Sequence, residues 1–160
     1  MSTAKILITR KWPESVEAEL MKHYDVTRNT DDVALSVEEL RAALGEYDAI
    51  LPTVTDNMGA AVFQTDHIRT QAICNYGVGF SHIDISAAQA AGITVTNTPD
   101  VLSECTADIA MTLMLMVARR AGEGEREVRA GQWSGWRPTH MIGTKASNKK
   151  VGIVGFGRIG

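Results

Sequence analysis

The chain has 160 residues, 44% hydrophobic and 22% charged, a balance that excludes a disordered chain and is enough to bury one core. Its formal net charge is -3, from 16 basic and 19 acidic residues spread along the chain, so no Lys/Arg block marks a nucleic-acid surface. The apolar runs at 6–8 and 109–118 are too short for a signal-peptide core or a membrane span.

The two cysteines, Cys74 and Cys105, show neither metal-ligand spacing nor the density of a disulfide scaffold, and both are expected to be buried thiols. A cytoplasmic enzyme or binding protein, with no metal, membrane or nucleic-acid partner, is the class that remains.

In chain order, residues 5–9 (KILIT) read as a strand, and Pro13 opens a helix to about residue 23 with Val16 and Leu20 on one face. Residues 25–28 supply a second strand. Ser36 and Glu39 form the S-x-x-E capping box of a helix that Gly45 is placed to end, and strand 49–51 stops at Pro52. A weaker helix is expected around 56–63, then a strand at 72–76, a glycine-rich turn, a small-residue helix at 86–91 and a strand at 94–97. This β-α alternation predicts an α/β fold: a flavodoxin-like, doubly wound parallel sheet over residues 1–98 with helices on both faces.

From Pro99 the pattern changes. Residues 103–120 are a long helical run in which Ile109, Met111, Leu113, Met114, Leu115, Met116 and Val117 leave no polar face. Such a helix is expected to be buried all round, at a domain junction or subunit interface. Gly122 and Gly124 are read as interrupting it, 123–129 as a solvated helical face, and 131–150, with Trp133, Trp136 and Pro138, as a loop.

The last eleven residues (KKVGIVGFGRIG without its first Lys) run an apolar strand, 151–154, into G-x-G-x-x-G. In the start of a Rossmann nucleotide-binding domain, Gly155 would permit the tight turn, Gly157 a close approach of the pyrophosphate, and Gly160 close helix–strand contact. Amides at a helix start favour an anion, and the Arg158 side chain could reach the same phosphates. The acidic or basic residue that separates NAD from NADP would lie about 20 residues further on, beyond Gly160.

A second constellation, NYGVGFSHID at 75–84, follows a strand at the carboxyl end, where α/β sheets bind ligands. The Val78 and Gly79 amides could hold a small carboxylate, or the segment could be only a glycine turn with His82 a plain histidine beside it. Thr106, early in the long helix, could face a ligand or make only local helix-start hydrogen bonds.

NYGVGFSHID, GITVTNTPDVLSECTADIAMTLMLMVARR, RAGQWSGWRP and KKVGIVGFGRIG, in this order and spacing, resemble the D-isomer-specific 2-hydroxyacid dehydrogenase family, over residues 5–160. The resemblance implies a split architecture: residues 1–98 as the N-terminal part of a substrate domain, and 99–160 as an interdomain helix and the beginning of an NAD(P)-binding domain. It implies an oxidoreductase moving a hydride between NAD or NADP and a small 2-keto or 2-hydroxy acid, and a homodimer joined through the long helix. Val78 and Gly79 would bind the substrate carboxylate, Thr106 would touch the cofactor, and Gly155, Gly157, Arg158, Ile159 and Gly160 would hold its pyrophosphate.

The W-x-x-W run with Arg137 and Pro138 looks most like the glyoxylate/hydroxypyruvate reductase branch, where a tryptophan at the place of Trp136 approaches the partner subunit's substrate. The family's catalytic arginine, glutamate and histidine all fall beyond Gly160, so none of His23, His67, His82 and His140 fills that role and the isolated chain is expected to be inactive. Two other readings stay open: a non-catalytic relative that senses dinucleotide or binds a protein, and a free-standing flavodoxin-like module.

Overall fold

The computed structural model describes residues 3–160, in two compact units that divide between Asp100 and Val101. The first holds five strands, β1 (Lys5–Ile8), β2 (Asp25–Arg28), β3 (Ala49–Leu51), β4 (Ala72–Cys74) and β5 (Thr94–Thr96). All pairs are parallel, in the order β2-β1-β3-β4-β5. The chain is therefore α/β, with the sheet order expected of a flavodoxin-like fold.

The first crossover steps from β1 outward to β2, and every later one steps the other way. Right-handed crossovers then put α1 (Glu14–His23) on one face, and α2 (Val37–Glu46), a short 3-10 turn (Ala60–Phe63) and α3 (Ile85–Ala90) on the other. The register shows the result. Leu7, Ile50, Ile73 and Val95 align across four strands and meet Leu40, Leu44, Val62 and Ala88 in the main core.

The opposite face carries Ile6, Ile8 and Leu51 with Trp12, and Leu20 of α1 packs against them. Beyond α1 this face is open, a groove of about 510 Å³ whose lining includes Leu51, Ala72, Cys74, Tyr76 and Thr96.

Local chemistry explains both agreements and departures. The capping box forms, with Ser36 Oγ accepting from Glu39 N at 3.2 Å and Glu39 Oε2 accepting from Ser36 N at 2.7 Å. Gly45 does not end α2, which runs on to Glu46. A Cβ at Gly45 would lie 2.9 Å from His67 Cδ2 and 3.2 Å from the His67 carbonyl oxygen, so the glycine serves a close approach. Instead the segment after His67 closes the helix end, because Arg69 N and Thr70 N both donate to the Leu44 carbonyl.

On α1 the buried residue is Glu17 rather than Val16, which is exposed; Glu17 accepts from Trp12 N at 2.9 Å and pairs with Arg28. The helix expected around 56–63 shrinks to the 3-10 turn. Asp56 accepts from Thr53 N, Asn57 from Gly59 N, and Met58 bridges to Ile83, so side chains and a strand-like contact take the groups a helix would need. Strand β4 stops at Cys74, which frees Asn75 and Tyr76 for the turn that follows.

The second unit holds α4 (Ser103–Ala118) and α5 (Ala121–Arg129). The break between them is Arg120, in the left-handed region at φ 56°, whereas Gly122 and Gly124 lie inside α5. The expectation of a helix buried all round is not met, since no residue of α4 is buried. A polar face is absent from its sequence, but the described residues bring no second layer against it. Cys105 on this helix is exposed and Cys74 is half-buried, so neither is the fully buried thiol expected. Residues 151–154 form no strand for a related reason: among the described residues no neighbouring strand offers them a hydrogen-bond ladder.

Candidate functional site

At the carboxyl end of β4 the ladder hands over to a turn. Asn75 N donates to the Thr96 carbonyl at 2.9 Å and Tyr76 N to the Pro52 carbonyl at 2.8 Å, fixing where the turn begins. Gly77 packs closely against Val54, whose Cγ1 would lie 2.9 Å from a Cβ at this position and would have to move aside.

The turn's carbonyls are then pinned in sequence. The Gly77 carbonyl accepts from Thr98 N at 3.1 Å and Asn75 Nδ2 at 3.0 Å. The Val78 carbonyl accepts from Asn97 Nδ2 at 2.8 Å, and that of Gly79 from Asn75 Nδ2 at 2.9 Å. A trans peptide is planar, with N–H and C=O pointing opposite ways, so pinning the Gly77 and Val78 carbonyls turns the Val78 and Gly79 N–H groups outward. Among the described residues neither N–H has a hydrogen-bond partner. Two adjacent, oriented, unpaired amides form a cradle that could accept a small anion.

Behind the turn lies a polar cluster. Carbonyl oxygens only accept, so the Asn75 amide nitrogen must face them, and its oxygen faces His82 Nε2 at 3.1 Å. His82 therefore carries its proton on Nε2. Burial pushes the His82 imidazole below the usual histidine range, opposed by the nearby Asp56 carboxylate. Asp56, 1% exposed, accepts on Oδ2 from Thr9 Oγ1 at 2.6 Å and Thr53 N at 2.7 Å, and ties the ends of β1 and β3 together. No group of three or more His, Cys, Asp or Glu among the described residues has the arrangement of a metal site.

The remaining expected site residues belong to the second unit. Thr106 is exposed on α4 and donates from Oγ1 to the Leu102 carbonyl at 2.8 Å, the local helix bond rather than a free hydroxyl. Trp136 stands 83% exposed in the loop after α5. In the 155–160 segment the backbone accounts for Gly155 and Gly160 but not for Gly157. Gly155 sits at φ 89°, a Cβ on Gly160 would lie 2.9 Å from the Gly155 carbonyl, and Gly157 has open space where a side chain would project. Neither a strand before these positions nor a helix after them forms among the described residues, so the segment does not have the strand–turn–helix arrangement expected of a pyrophosphate site.

Val78 and Gly79 thus stand side by side in the first unit, and Gly155, Gly157, Arg158, Ile159 and Gly160 lie together in the second. Asn75, Asn97 and His82, which orient the turn, were not assigned as site residues from sequence. The signal for Asn75 was its place immediately after an apolar strand, where a polar residue is buried only to serve the backbone around it.

The profile of the family described as D-isomer specific 2-hydroxyacid dehydrogenase, catalytic domain, matches residues 6–155. The glycerate dehydrogenase of Hyphomicrobium methylovorum is 41% identical over 160 residues, covering 100% of this chain and 50% of that protein. The glyoxylate reductase of Thermococcus onnurineus is 39% identical, covering 98% of this chain and 48% of its own length. The chain therefore spans about half the length of the curated relatives it matches.

Among solved structures, the NADPH-dependent glyoxylate/hydroxypyruvate reductase of Sinorhizobium meliloti, crystallised with NADP and malonate, superposes with a TM-score of 0.77 at 28% identity. That match covers 99% of this chain and 48% of that one. A Polaromonas protein assigned to the NAD-binding D-isomer specific 2-hydroxyacid dehydrogenases superposes with a TM-score of 0.91 at 36% identity, over 98% of this chain and 49% of that one.

Proposed function

The chain belongs to the D-isomer-specific 2-hydroxyacid dehydrogenase family, and from that premise we propose that the protein carrying it is a cytoplasmic, NAD- or NADP-dependent reductase of small 2-keto acids such as glyoxylate or hydroxypyruvate. The observation that carries this reading is the turn after β4, whose unpaired Val78 and Gly79 amides fit one end of a small carboxylate. They hold the acid by two N–H···O bonds to a charged acceptor, which are stronger than neutral ones, and so fix where its keto carbon lies.

Residues 1–98 form the N-terminal part of the substrate domain in this reading, and 99–160 the interdomain helix and the beginning of the nucleotide domain. Gly155, Gly157, Arg158, Ile159 and Gly160 would hold the cofactor's pyrophosphate, and Thr106 would lie against the cofactor. When bound, the nicotinamide supplies the hydride. Trp136, exposed on its loop, is available to a second copy, and the apolar length of α4 supports a homodimer. The 160 residues alone are proposed to be inactive, on the resemblance that places the acid–base residues beyond Gly160.

The test is a pair of substitutions in the full-length protein. Gly79→Ala keeps the N–H and meets no atom within 4 Å, so KM for glyoxylate should stay near the parental value. Gly79→Pro removes the N–H and should raise KM by about ten- to hundredfold, with cofactor affinity unchanged. An unchanged KM in Gly79→Pro would remove the turn from substrate binding.

A further inference from the structure

We propose that Asn75, held by His82, is the positioning residue that aims the Val78–Gly79 cradle at the substrate carboxylate, an inference that rests on the reading of that turn given above. Asn75 is 2% exposed, and its side chain makes three bonds, all within the turn and its backing. Both amide hydrogens go to carbonyls of the turn, at Gly77 (3.0 Å) and Gly79 (2.9 Å), while its oxygen accepts from His82 Nε2 (3.1 Å). None of them supports the sheet itself.

The geometry makes that clamp directional. Rotating the 77–78 peptide to turn the Val78 N–H inward would swing the Gly77 carbonyl off Asn75 Nδ2, leaving a buried donor unpaired. Gripping the Gly79 carbonyl as well, Asn75 brackets both ends of the Gly77–Gly79 turn from one side, with Asn97 holding the carbonyl between them. His82 backs the amide group from the other side: with the nitrogen fixed on the two carbonyls, the oxygen accepts from His82 Nε2–H, so the side chain is held at both ends. A bare glycine turn would have to lose conformational freedom when a carboxylate arrives, whereas this one meets its ligand already ordered.

The experiment uses the full-length protein, with glyoxylate as substrate and oxalate as a non-reacting carboxylate. Asn75→Asp is isosteric but presents an oxygen where two carbonyls need a donor. It is expected to raise KM for glyoxylate and Ki for oxalate together by about ten- to hundredfold, with kcat within about threefold and NADH affinity unchanged. His82→Gln, which keeps a donor, should stay near parental KM, and His82→Leu should show part of the Asn75→Asp effect.

A folded Asn75→Asp with parental KM and Ki, alongside a raised KM in Gly79→Pro, overturns the positioning role and leaves the cradle standing. Parental KM in Gly79→Pro overturns the cradle and this inference with it. If Asn75→Asp does not fold, the two His82 variants decide: a raised KM in His82→Leu alone supports the clamp, and equal KM values overturn it.

Discussion

Burial pushes the His82 imidazole below the usual histidine range, against the pull of the Asp56 carboxylate, and the consequence is a pH dependence with a definite sign. The Nε2–H that Asn75 accepts is present in both protonation states, so acid does not break the bond; it places a cation in a half-buried site. With its folded value depressed, the unfolded state binds the proton first as pH falls. The His82 contribution to stability is therefore fully present above the unfolded value of about 6.5 and is lost as pH falls from there through the folded value. Urea unfolding of the full-length protein at about pH 7.5 and 5.5 should show a loss that His82→Gln abolishes. A His82→Gln protein with the same loss would assign it to another group. The turn and its Val78 and Gly79 amides were legible in the sequence because a glycine-rich run directly follows an apolar strand at the carboxyl end of the sheet. The clamp was not, because Asn97 and Thr98 return to the turn from about twenty residues downstream, and no spacing rule encodes that return.

At the scale of elements, Gly45 separates a propensity argument from a packing one. Alanine inside an exposed helix is worth about 1 kcal/mol over glycine, which predicts that Gly45→Ala stabilises. The structure predicts the reverse. The new Cβ would press on the His67 carbonyl at 3.2 Å, and that backbone is anchored two and three residues later by the bonds of Arg69 N and Thr70 N to the Leu44 carbonyl. Gly45→Ala should therefore destabilise by about 1 kcal/mol, read from the urea midpoint at unchanged slope. A higher midpoint would mean that the 67–70 segment yields. The strands and the three longer helices of the first unit were legible from periodicity and caps, since Ser36, Pro13 and the apolar runs act within a few residues of themselves. The helix around 56–63 was not, because Asp56 and Asn57 turn their side chains onto the backbone and Met58 joins Ile83. The role of Glu17 was hidden in the same way, since the periodicity that selected Val16 and Leu20 says nothing about the Trp12 amide that Glu17 accepts from.

For the whole molecule, the parallel sheet with helices on both faces follows from the β-α alternation, but burial of α4 and pairing of 151–154 depend on surfaces that the described residues do not supply. The second unit has no buried residue in either helix. Its apolar side chains stand open along α4, with Ile109 59% and Val117 79% exposed, and again near Gly160, with Phe156 83% exposed. Contiguous apolar surface of this kind is rare on soluble monomers and drives association, while a segment with few buried contacts and no ladder opens at little cost. The 160-residue chain, prepared alone, should therefore self-associate through α4 and exchange its backbone amides rapidly after about residue 120, while β1, β3 and β4 stay protected. Light scattering across about a tenfold concentration range should show a rising mass, and hydrogen exchange should divide near residue 120, just after α4. Replacing Leu113 and Val117, both exposed on α4, by glutamate should return the mass to that of one chain without altering exchange in the sheet. A concentration-independent single-chain mass with a protected tail would show instead that the second unit is stable by itself, and would remove the exposed face of α4 as a reason for dimerisation.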